Sequence, residues 1–258
     1  MINTIIDIYH GNNVDLQKAW NGGIVAIIHK ATQGTGIRDS TYHDRRKQAK
    51  KLGFLWGAYH FSTGGSVSDQ VANFLTYAKP GDDELISLDW EPSDGPDMIL
   101  EQAQHFVQMI RDETGRWPVV YGGHLLREEI GHNPDPILSN CPLWYVRYAD
   151  SPIGIPTQVW ATYTLWQYTD GDVGPEPHGT PGATGRSEHL PRQYSEAKSG
   201  VAFYPQEERD CAWPRLRARF ENCGETRFKK EEKRPVKPGD FQMKPLEESP
   251  RGGTESLR

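Results

Sequence analysis

The chain has 258 residues, a formal net charge of −6 and a mean hydropathy of −0.72. Residues 1–182 contain 13 Lys/Arg and 22 Asp/Glu, whereas residues 183–258 contain 16 and 13, so the acidic body argues against nucleic acid as a partner. No apolar run approaches the ~20 residues that span a bilayer, which argues against a membrane protein.

Alternating strands and helices are predicted over the first two thirds of the chain. Residues 98–113 form an amphipathic helix in this prediction, and Ser66 and Asp97 are candidate helix starts. Near-continuous apolar strands between helices are typical of a parallel sheet covered by helices. The number of strands favours an α/β fold of the irregular, TIM-like β/α barrel type. The predicted strands are 4–9, 24–29, 56–61, 85–90, 119–122, 143–148 and 164–168.

In such a barrel the functional residues gather at the carboxyl ends of the strands. The acids among the candidates are Asp7, Asp89 and Glu91. Carbohydrate sites combine acids and amides with aromatic rings, because sugar rings have apolar faces and many hydroxyls. The candidate substrate-binding residues are Lys30, Tyr59, His60, Tyr121, Trp144, Tyr145, Trp166 and Gln167.

Asp89 and Glu91 are the most informative of these residues. Side chains alternate along a strand, so both carboxylates point the same way, with Cα atoms roughly 6.5 Å apart. Like charges this close serve glycoside cleavage, metal binding or proton transfer, although structural ion-pair networks also contain such pairs. The glycosidase interpretation makes Glu91 the general acid, with Asp89 and Asp7 as ionised supporting carboxylates.

Other kinds of chemistry receive less support from the sequence. His10, His29 and His60 invite a metal hypothesis, but they lack HxH or HExxH spacing, and no metal or other cofactor is predicted. The sequence contains no nucleophile elbow. The three cysteines are an odd number without metal-type spacing, which favours reduced thiols; they are Cys141, Cys211 and Cys223.

Seven ordered blocks resemble the family 25 glycoside hydrolases, the Chalaropsis-type lysozymes of bacteria, fungi and phage endolysins. The resemblance spans residues 4–182, about 70% of the chain, and several blocks in order are more specific than any one motif. The blocks are Ile6-Asp7-Ile8, Lys30-Ala31-Thr32-Gln33-Gly34, Gly57-Ala58-Tyr59-His60-Phe61, Leu88-Asp89-Trp90-Glu91, Val120-Tyr121-Gly122, Leu143-Trp144-Tyr145 and Leu165-Trp166-Gln167-Tyr168.

The resemblance implies a catalytic domain over residues 1–182 that cleaves the β-1,4 bond between N-acetylmuramic acid and N-acetylglucosamine in peptidoglycan. By position, Glu91 resembles the proton donor, and Asp7 and Asp89 resemble the supporting carboxylates. The resemblance also implies a retaining reaction in which the substrate N-acetyl group is the nucleophile. The alternatives are a catalytically impaired glycan-binding homologue and a metal-dependent polysaccharide deacetylase on a similar barrel.

The chain departs from the family after Pro181-Gly182. Family members close the barrel with a segment that carries an Asp-x-Asn or similar motif, and here residues 183–258 form a charged, aperiodic stretch instead. We therefore expect a low-order tail, a missing last strand and a site that lacks one acid. A frameshift near Ala183 is one explanation, because a shifted reading frame over residues 182–204 can encode a family-like ending.

The amino terminus predicts where the protein is made. Met1-Ile2-Asn3-Thr4 leads directly into an apolar strand, without a basic region or a small-residue cleavage site. The sequence thus predicts synthesis in the cytoplasm without a signal peptide, followed by action on the cell wall. The predicted partner is the peptidoglycan glycan strand, and the sequence does not indicate an oligomeric state.

Overall fold

The structure is a computed structural model that describes residues 5–171, 173–176, 183–184 and 198–203. Each of the seven predicted strands is present, with shifts of a few residues at its ends. In chain order the elements are β1 (Ile5–Ile8), β2 (Asn13–Val14), α1 (Leu16–Asn21), β3 (Ala26–Gln33), β4 (Ile37–Arg38), α2 (Tyr42–Leu52), β5 (Leu55–Phe61), α3 (Val67–Ala78), β6 (Leu85–Asp89), α4 (Leu100–Thr114), β7 (Val119–Gly122), α5 (His124–Ile130), a 3-10 turn (Leu138–Asn140), β8 (Leu143–Val146), β9 (Leu165–Gln167), β10 (Ala183–Thr184) and β11 (Lys198–Phe203).

The main sheet curls into a barrel. Strands β1, β3, β5, β6, β7, β8 and β9 pair in parallel in that order. Strand β11 is antiparallel to both β9 and β1, and it completes the ring between them. The short strand β4 extends β3 as a hairpin, and β2 pairs separately with β10. The predicted α/β barrel is therefore confirmed.

The presence of β11 corrects the expectation that the last strand is missing. Residues 198–203 occupy the position between β9 and β1, so the strand that closes the barrel comes from within the range predicted to have low order. Residues 183–184 also pair as a strand. The rest of the predicted low-order tail, residues 185–197 and 204–258, lies outside the described residues.

Alternation along the strands produces two apolar clusters. The inner cluster fills the barrel and includes Ile5, Ile28, Leu85, Val119 and Leu165. The larger outer cluster fills the layer between the barrel wall and the helices. Because neighbouring residues in a strand point to opposite faces, each of the seven parallel strands contributes to both clusters.

The helix starts follow local capping chemistry. Ser66 is confirmed as the N-cap of α3, since its hydroxyl accepts from the Asp69 N–H at 3.4 Å. The prediction for Asp97 is wrong: α4 begins at Leu100, and the Asp97 carboxylate accepts instead from the Ser93 N–H at 2.6 Å. The Leu100 N–H donates to the Glu129 carboxylate at 2.9 Å, a tertiary contact that the local sequence does not contain. Among the described residues, none of the helices is both long and apolar enough to cross a membrane.

Candidate active site

The two acids of the Asp-x-Glu motif lie at the carboxyl end of β6. Asp89 is the last residue of the strand and is 5% exposed, whereas Glu91 is partly exposed just beyond it. The Trp90 side chain between them is fully buried on the opposite face, where its indole N–H donates to the Met98 carbonyl at 2.7 Å. The Trp90 N–H also donates to the Tyr121 carbonyl at 2.9 Å, which extends the ladder past Asp89. This anchoring directs Glu91 towards the interior of the barrel.

An aromatic residue of β7 contacts Glu91 and packs against an aromatic residue of β8. The Tyr121 hydroxyl donates to Oε1 of Glu91 at 3.3 Å, and Tyr121 is the register partner of Asp89. The edge of the Trp144 ring meets the Tyr121 ring with centroids 4.6 Å apart. Both rings belong to the inner cluster, so they support the acid from within the barrel.

The third acid comes from the first strand. Asp7 lies in β1 and is 5% exposed. The side-chain amide of Gln167, at the end of β9, donates to Oδ1 of Asp7 at 3.3 Å. Asp7 and Gln167 are 160 positions apart in the sequence, and the closing of the sheet brings them together.

A cation lies on the same inner face. Lys30 of β3 is 5% exposed, and its Nζ donates to Oε1 of Gln33 at 2.6 Å. The same Nζ is 4.8 Å from the centre of the Phe61 ring, within cation–π range. Tyr59 is the register partner of Lys30 and belongs to the inner cluster. The predicted residues Lys30 and Tyr59 therefore share the barrel interior with the acids.

Three predicted substrate-binding residues lie on the other face of the wall. His60 is fully buried and bonds to Thr32 at 2.8 Å and Gln70 at 3.1 Å. The Tyr145 hydroxyl donates to the Ile153 carbonyl at 3.0 Å, and the Trp166 indole N–H donates to the Arg147 carbonyl at 2.9 Å. The structure thus brings Lys30, Tyr59, Tyr121, Trp144 and Gln167 together with the acids, and it places His60, Tyr145 and Trp166 towards the helices.

The histidines of the metal hypothesis lie in three different environments. His10 pairs with the buried Asp39 at 3.1 Å, while His29 stacks on Trp56 and His60 stacks on Phe106. Burial lowers the pKa of both His29 and His60 to about 4. Among the described residues, no group of three or more His, Cys, Asp or Glu side chains could hold a metal ion.

Cys141 has the environment of a structural thiol. Its side chain is buried and forms no disulfide. Burial raises the pKa of the thiol far above its usual range, so the reactive thiolate is strongly disfavoured. A cysteine nucleophile at this position is therefore ruled out on physical grounds.

Sequence reasoning missed two residues that hold Lys30. Phe61 follows Tyr59 by two positions and faces inward for that reason, a signal that alternation alone contained. Gln33 has the opposite parity to Lys30, so strict alternation assigns it to the outer face. A register irregularity between Lys30 and Thr32 reverses the parity and pairs Gln33 with the inward-facing Phe61.

The barrel interior, at the carboxyl ends of the strands, thus combines one partly exposed acid with two buried acids, aromatic rings and an amide. Several carboxyl groups at one end of a barrel suit a reaction that passes through a cationic transition state, as in glycoside cleavage. The site defines the class as a carbohydrate-active enzyme built on a β/α barrel.

Comparison with known proteins identifies the family. Residues 6–176 match the profile of the glycosyl hydrolases family 25, so the chain belongs to that family. The N,O-diacetylmuramidase of Arthroderma benhamiae is 29% identical over 171 residues, which cover 61% of this chain and 72% of the relative. The autolytic lysozyme of Clostridium acetobutylicum is 28% identical over 169 residues, 64% of this chain and 50% of the longer relative.

Solved structures of the family share the fold. The family GH25 lysozyme from Aspergillus fumigatus has a TM-score of 0.59 and 27% identity, and the match covers 74% of this chain and 98% of that one. The muramidase from Trichobolus zukalii has a TM-score of 0.62 and 25% identity, and the match covers 78% of this chain and 93% of that one. The chain is accordingly a glycoside hydrolase of the lysozyme type, a class of enzyme that hydrolyses the peptidoglycan of cell walls.

Proposed function

We propose that this protein is a muramidase that cleaves the β-1,4 bond between N-acetylmuramic acid and N-acetylglucosamine. Glu91 is the proton donor in this proposal, and Asp7 and Asp89 are the supporting carboxylates. The observation that carries these roles is the difference in exposure: Glu91 is partly exposed, whereas Asp7 and Asp89 are each 5% exposed at the same end of the barrel. The relatives named as muramidases support muramic acid as the sugar on the cleaved side.

The proposed reaction needs no protein nucleophile. Glu91 gives its proton to the glycosidic oxygen as the bond from that oxygen to C1 breaks. The acetamido oxygen of the same sugar attacks C1 and forms a cyclic oxazolinium ion, whose positive charge the ionised Asp89 and Asp7 stabilise. A water molecule then adds to C1 as the bond from C1 to the acetamido oxygen breaks and the amide is restored, and the Glu91 carboxylate takes the proton from that water. The product is a reducing sugar of retained configuration, and Glu91 is protonated again.

The proposed substrate-binding residues are those on the inner face. Tyr59, Tyr121 and Trp144 provide apolar ring surface and Lys30 provides a polar group, whereas the buried Gln167 lies on the same face with its amide bonded to Asp7. His60, Tyr145 and Trp166 face the helices, and we propose that they support the wall rather than contact the glycan. Binding and catalysis therefore depend on separable side chains.

The test compares the full chain with Glu91→Gln on purified peptidoglycan. We expect the wild type to reduce turbidity and to release fragments that end in reducing N-acetylmuramic acid, detected by borohydride reduction and mass spectrometry. Glu91→Gln should lose about 10²-fold to 10⁴-fold in rate, the usual contribution of a positioned acid, while still sedimenting with peptidoglycan. The matched control is Glu113→Gln, which makes the same change at an exposed position of α4 and should leave the rate unchanged.

The possible outcomes separate the candidate functions. Release of reducing N-acetylglucosamine would contradict the proposed bond, and full activity of Glu91→Gln would contradict the proposed donor. A wild-type chain that binds peptidoglycan without releasing fragments would be the glycan-binding homologue. Loss of activity with a chelating agent would favour the metal-dependent deacetylase instead.

A further inference from the structure

Gln167 makes an unusual contact for a residue at the end of a strand. Its side chain is fully buried, and its Nε2 donates to Oδ1 of Asp7 at 3.3 Å. Of the two ends of a side-chain amide, only the NH₂ group can donate to a carboxylate. The contact therefore fixes which way the amide points.

The oxygen of the same amide shows that this orientation costs free energy. Among the described residues, Oε1 of Gln167 is buried and has no hydrogen-bond partner. A buried unpaired acceptor is unfavourable, and native structures contain few of them. The contact with Asp7 therefore explains the orientation of the amide, because none of the described residues donates a hydrogen bond to its oxygen.

The backbone around Gln167 is fixed by β8 and by Arg147, the residue that follows that strand. The Arg147 N–H donates to the Gln167 carbonyl at 3.0 Å, and the Trp166 indole N–H donates to the Arg147 carbonyl at 2.9 Å. Val146 of β8 is the register partner of Gln167. With its backbone held in this way and its side chain buried, the amide is preorganised towards β1.

We propose that Gln167 is a positioning residue for Asp7: its amide N–H donates to the Asp7 carboxylate and holds it in the orientation that faces the developing positive charge. This inference rests on the proposed role of Asp7 as a supporting carboxylate. Gln167 acts through Asp7 and has no reacting atom of its own. A donor bound to the ionised form also favours that form, so removing the donor should affect Asp7 in a pH-dependent way.

Two substitutions at Gln167 should change the pH profile in opposite directions. Gln167→Met keeps the length but removes the donor, so Asp7 should take up a proton more readily. Its kcat should fall roughly tenfold at neutral pH with KM changed less than about twofold, and its ratio to wild type should fall further in acid.

Gln167→Glu replaces the amide with a group that donates only when it is protonated. Below the pKa of the new carboxyl, its O–H can donate to Asp7, and kcat should approach that of wild type within about threefold. When the pH rises, two ionised carboxylates would face each other, and kcat should drop by at least about tenfold. The ratio to wild type thus rises in acid for Gln167→Glu and falls in acid for Gln167→Met.

The matched control is Gln70→Glu, which places a new carboxyl at another fully buried amide, in α3, where it contacts His60 outside the barrel interior. It should lower the melting temperature but show no recovery of kcat in acid relative to wild type. Melting temperatures recorded at each pH ensure that the rates are compared on folded protein. Titration of Asp7 by ¹³C NMR, assigned with Asp7→Asn, gives a readout that does not depend on activity.

The two readouts keep the outcomes distinct. Opposite pH trends for the two Gln167 variants, with a raised pKa of Asp7 in Gln167→Met, would support the inference. Parallel pH profiles, or an Asp7 pKa that is the same in wild type and Gln167→Met, would overturn it. If the wild type fails to cleave peptidoglycan or Glu91→Gln remains active, the proposed function fails, and the Asp7 titration alone decides whether Gln167 controls that carboxylate.

Discussion

The inner and outer faces of the barrel wall use the same strands but treat their polar groups differently. On the outer face, the His60 ring nitrogens bond to Thr32 and Gln70, and the Tyr145 hydroxyl bonds to Arg127 and Ile153. On the inner face, among the described residues, the buried atoms Nε1 of Trp144 and Oε1 of Gln167 have no hydrogen-bond partner.

This difference separates residues that hold the fold from those that form the site. Paired buried polar groups stabilise one arrangement of strands and helices, and each unpaired one costs about 1–3 kcal/mol. The polar atoms of His60 and Tyr145 on the outer face follow the rule of a packed core, whereas Trp144 and Gln167 on the inner face accept part of this cost near the acids. Neighbouring residues of one strand are therefore natural test pairs, since they share a backbone but lie in different environments.

After Glu91→Gln, the largest expected effect comes from Asp89 on the inner face. Asp89→Asn preserves shape but removes the charge, so the stabilisation of the cationic intermediate that we propose for Asp89 is lost. We expect the rate of peptidoglycan cleavage to fall by about 10²-fold to 10³-fold, equivalent to about 3–4 kcal/mol, with little change in melting temperature. Turbidity kinetics and calorimetry on the same preparation measure both quantities.

The comparison for Asp89 is Asp135, a buried acid outside the barrel interior that is also 5% exposed. Its carboxylate accepts from the Ile137 and Leu138 N–H groups and from the Gln104 amide, at 2.7–2.9 Å. Asp135→Asn should lower the free energy of unfolding by about 1–3 kcal/mol and leave the rate unchanged. A large loss of rate in this variant would show that charge anywhere in the core, rather than charge at the inner face, controls activity.

The outer face has its own pH response, which arises from His29 and His60. Burial lowers the pKa of each imidazole to about 4, against about 6.5 in an unfolded chain. Between these values the unfolded chain binds the proton and the folded chain does not, so stability is lost as the pH falls from 6.5 to 4. Each histidine should account for a loss of about 3 kcal/mol, measured as the pH dependence of urea unfolding.

His60→Gln tests this assignment. The variant should be less stable than wild type at pH 7, because the bonds to Thr32 and Gln70 are disturbed. Its stability should nevertheless depend less steeply on pH, because one of the two titrating imidazoles is gone. An unchanged slope in His60→Gln would contradict the role of burial.

Much of the division between the inner and outer faces of the barrel wall could be predicted from the sequence. The apolar runs predicted the seven parallel strands, and alternation correctly put Asp89 on the same face as Glu91. Alternation also contains the contrast between Tyr59 and His60, but both lie at the carboxyl end of one predicted strand and in one block of the family resemblance, which predicts substrate contact for each. The burial of His60 on the outer face is visible only in the structure.

The features that escaped prediction depend on long-range geometry. The irregularity in β3 that turns Gln33 inward has no local signal, because it is set by pairing with β5. The contact between Asp7 and Gln167 requires the ring to close, and β11 closes it from a charged region whose composition predicts low order. Composition describes the average behaviour of a region, whereas a single strand can form where two neighbouring strands leave their edges unpaired, as β9 and β1 do for β11.

The smallest expected effects come from Trp144 and Tyr145, adjacent residues of β8 on opposite faces. Trp144→Phe replaces the indole that packs against Tyr121 with a smaller ring, and the Tyr121 hydroxyl donates to Glu91. We therefore expect kcat/KM to fall roughly threefold to tenfold, which corresponds to about 1 kcal/mol. Tyr145→Phe removes the hydroxyl that joins Arg127 to the Ile153 carbonyl and should cost about 1 kcal/mol of stability with kcat/KM unchanged. Steady-state kinetics on soluble peptidoglycan fragments and urea unfolding measure the pair. Equal losses of kcat/KM in both variants would mean that the wall transmits strain across its thickness and that the two faces are not independent.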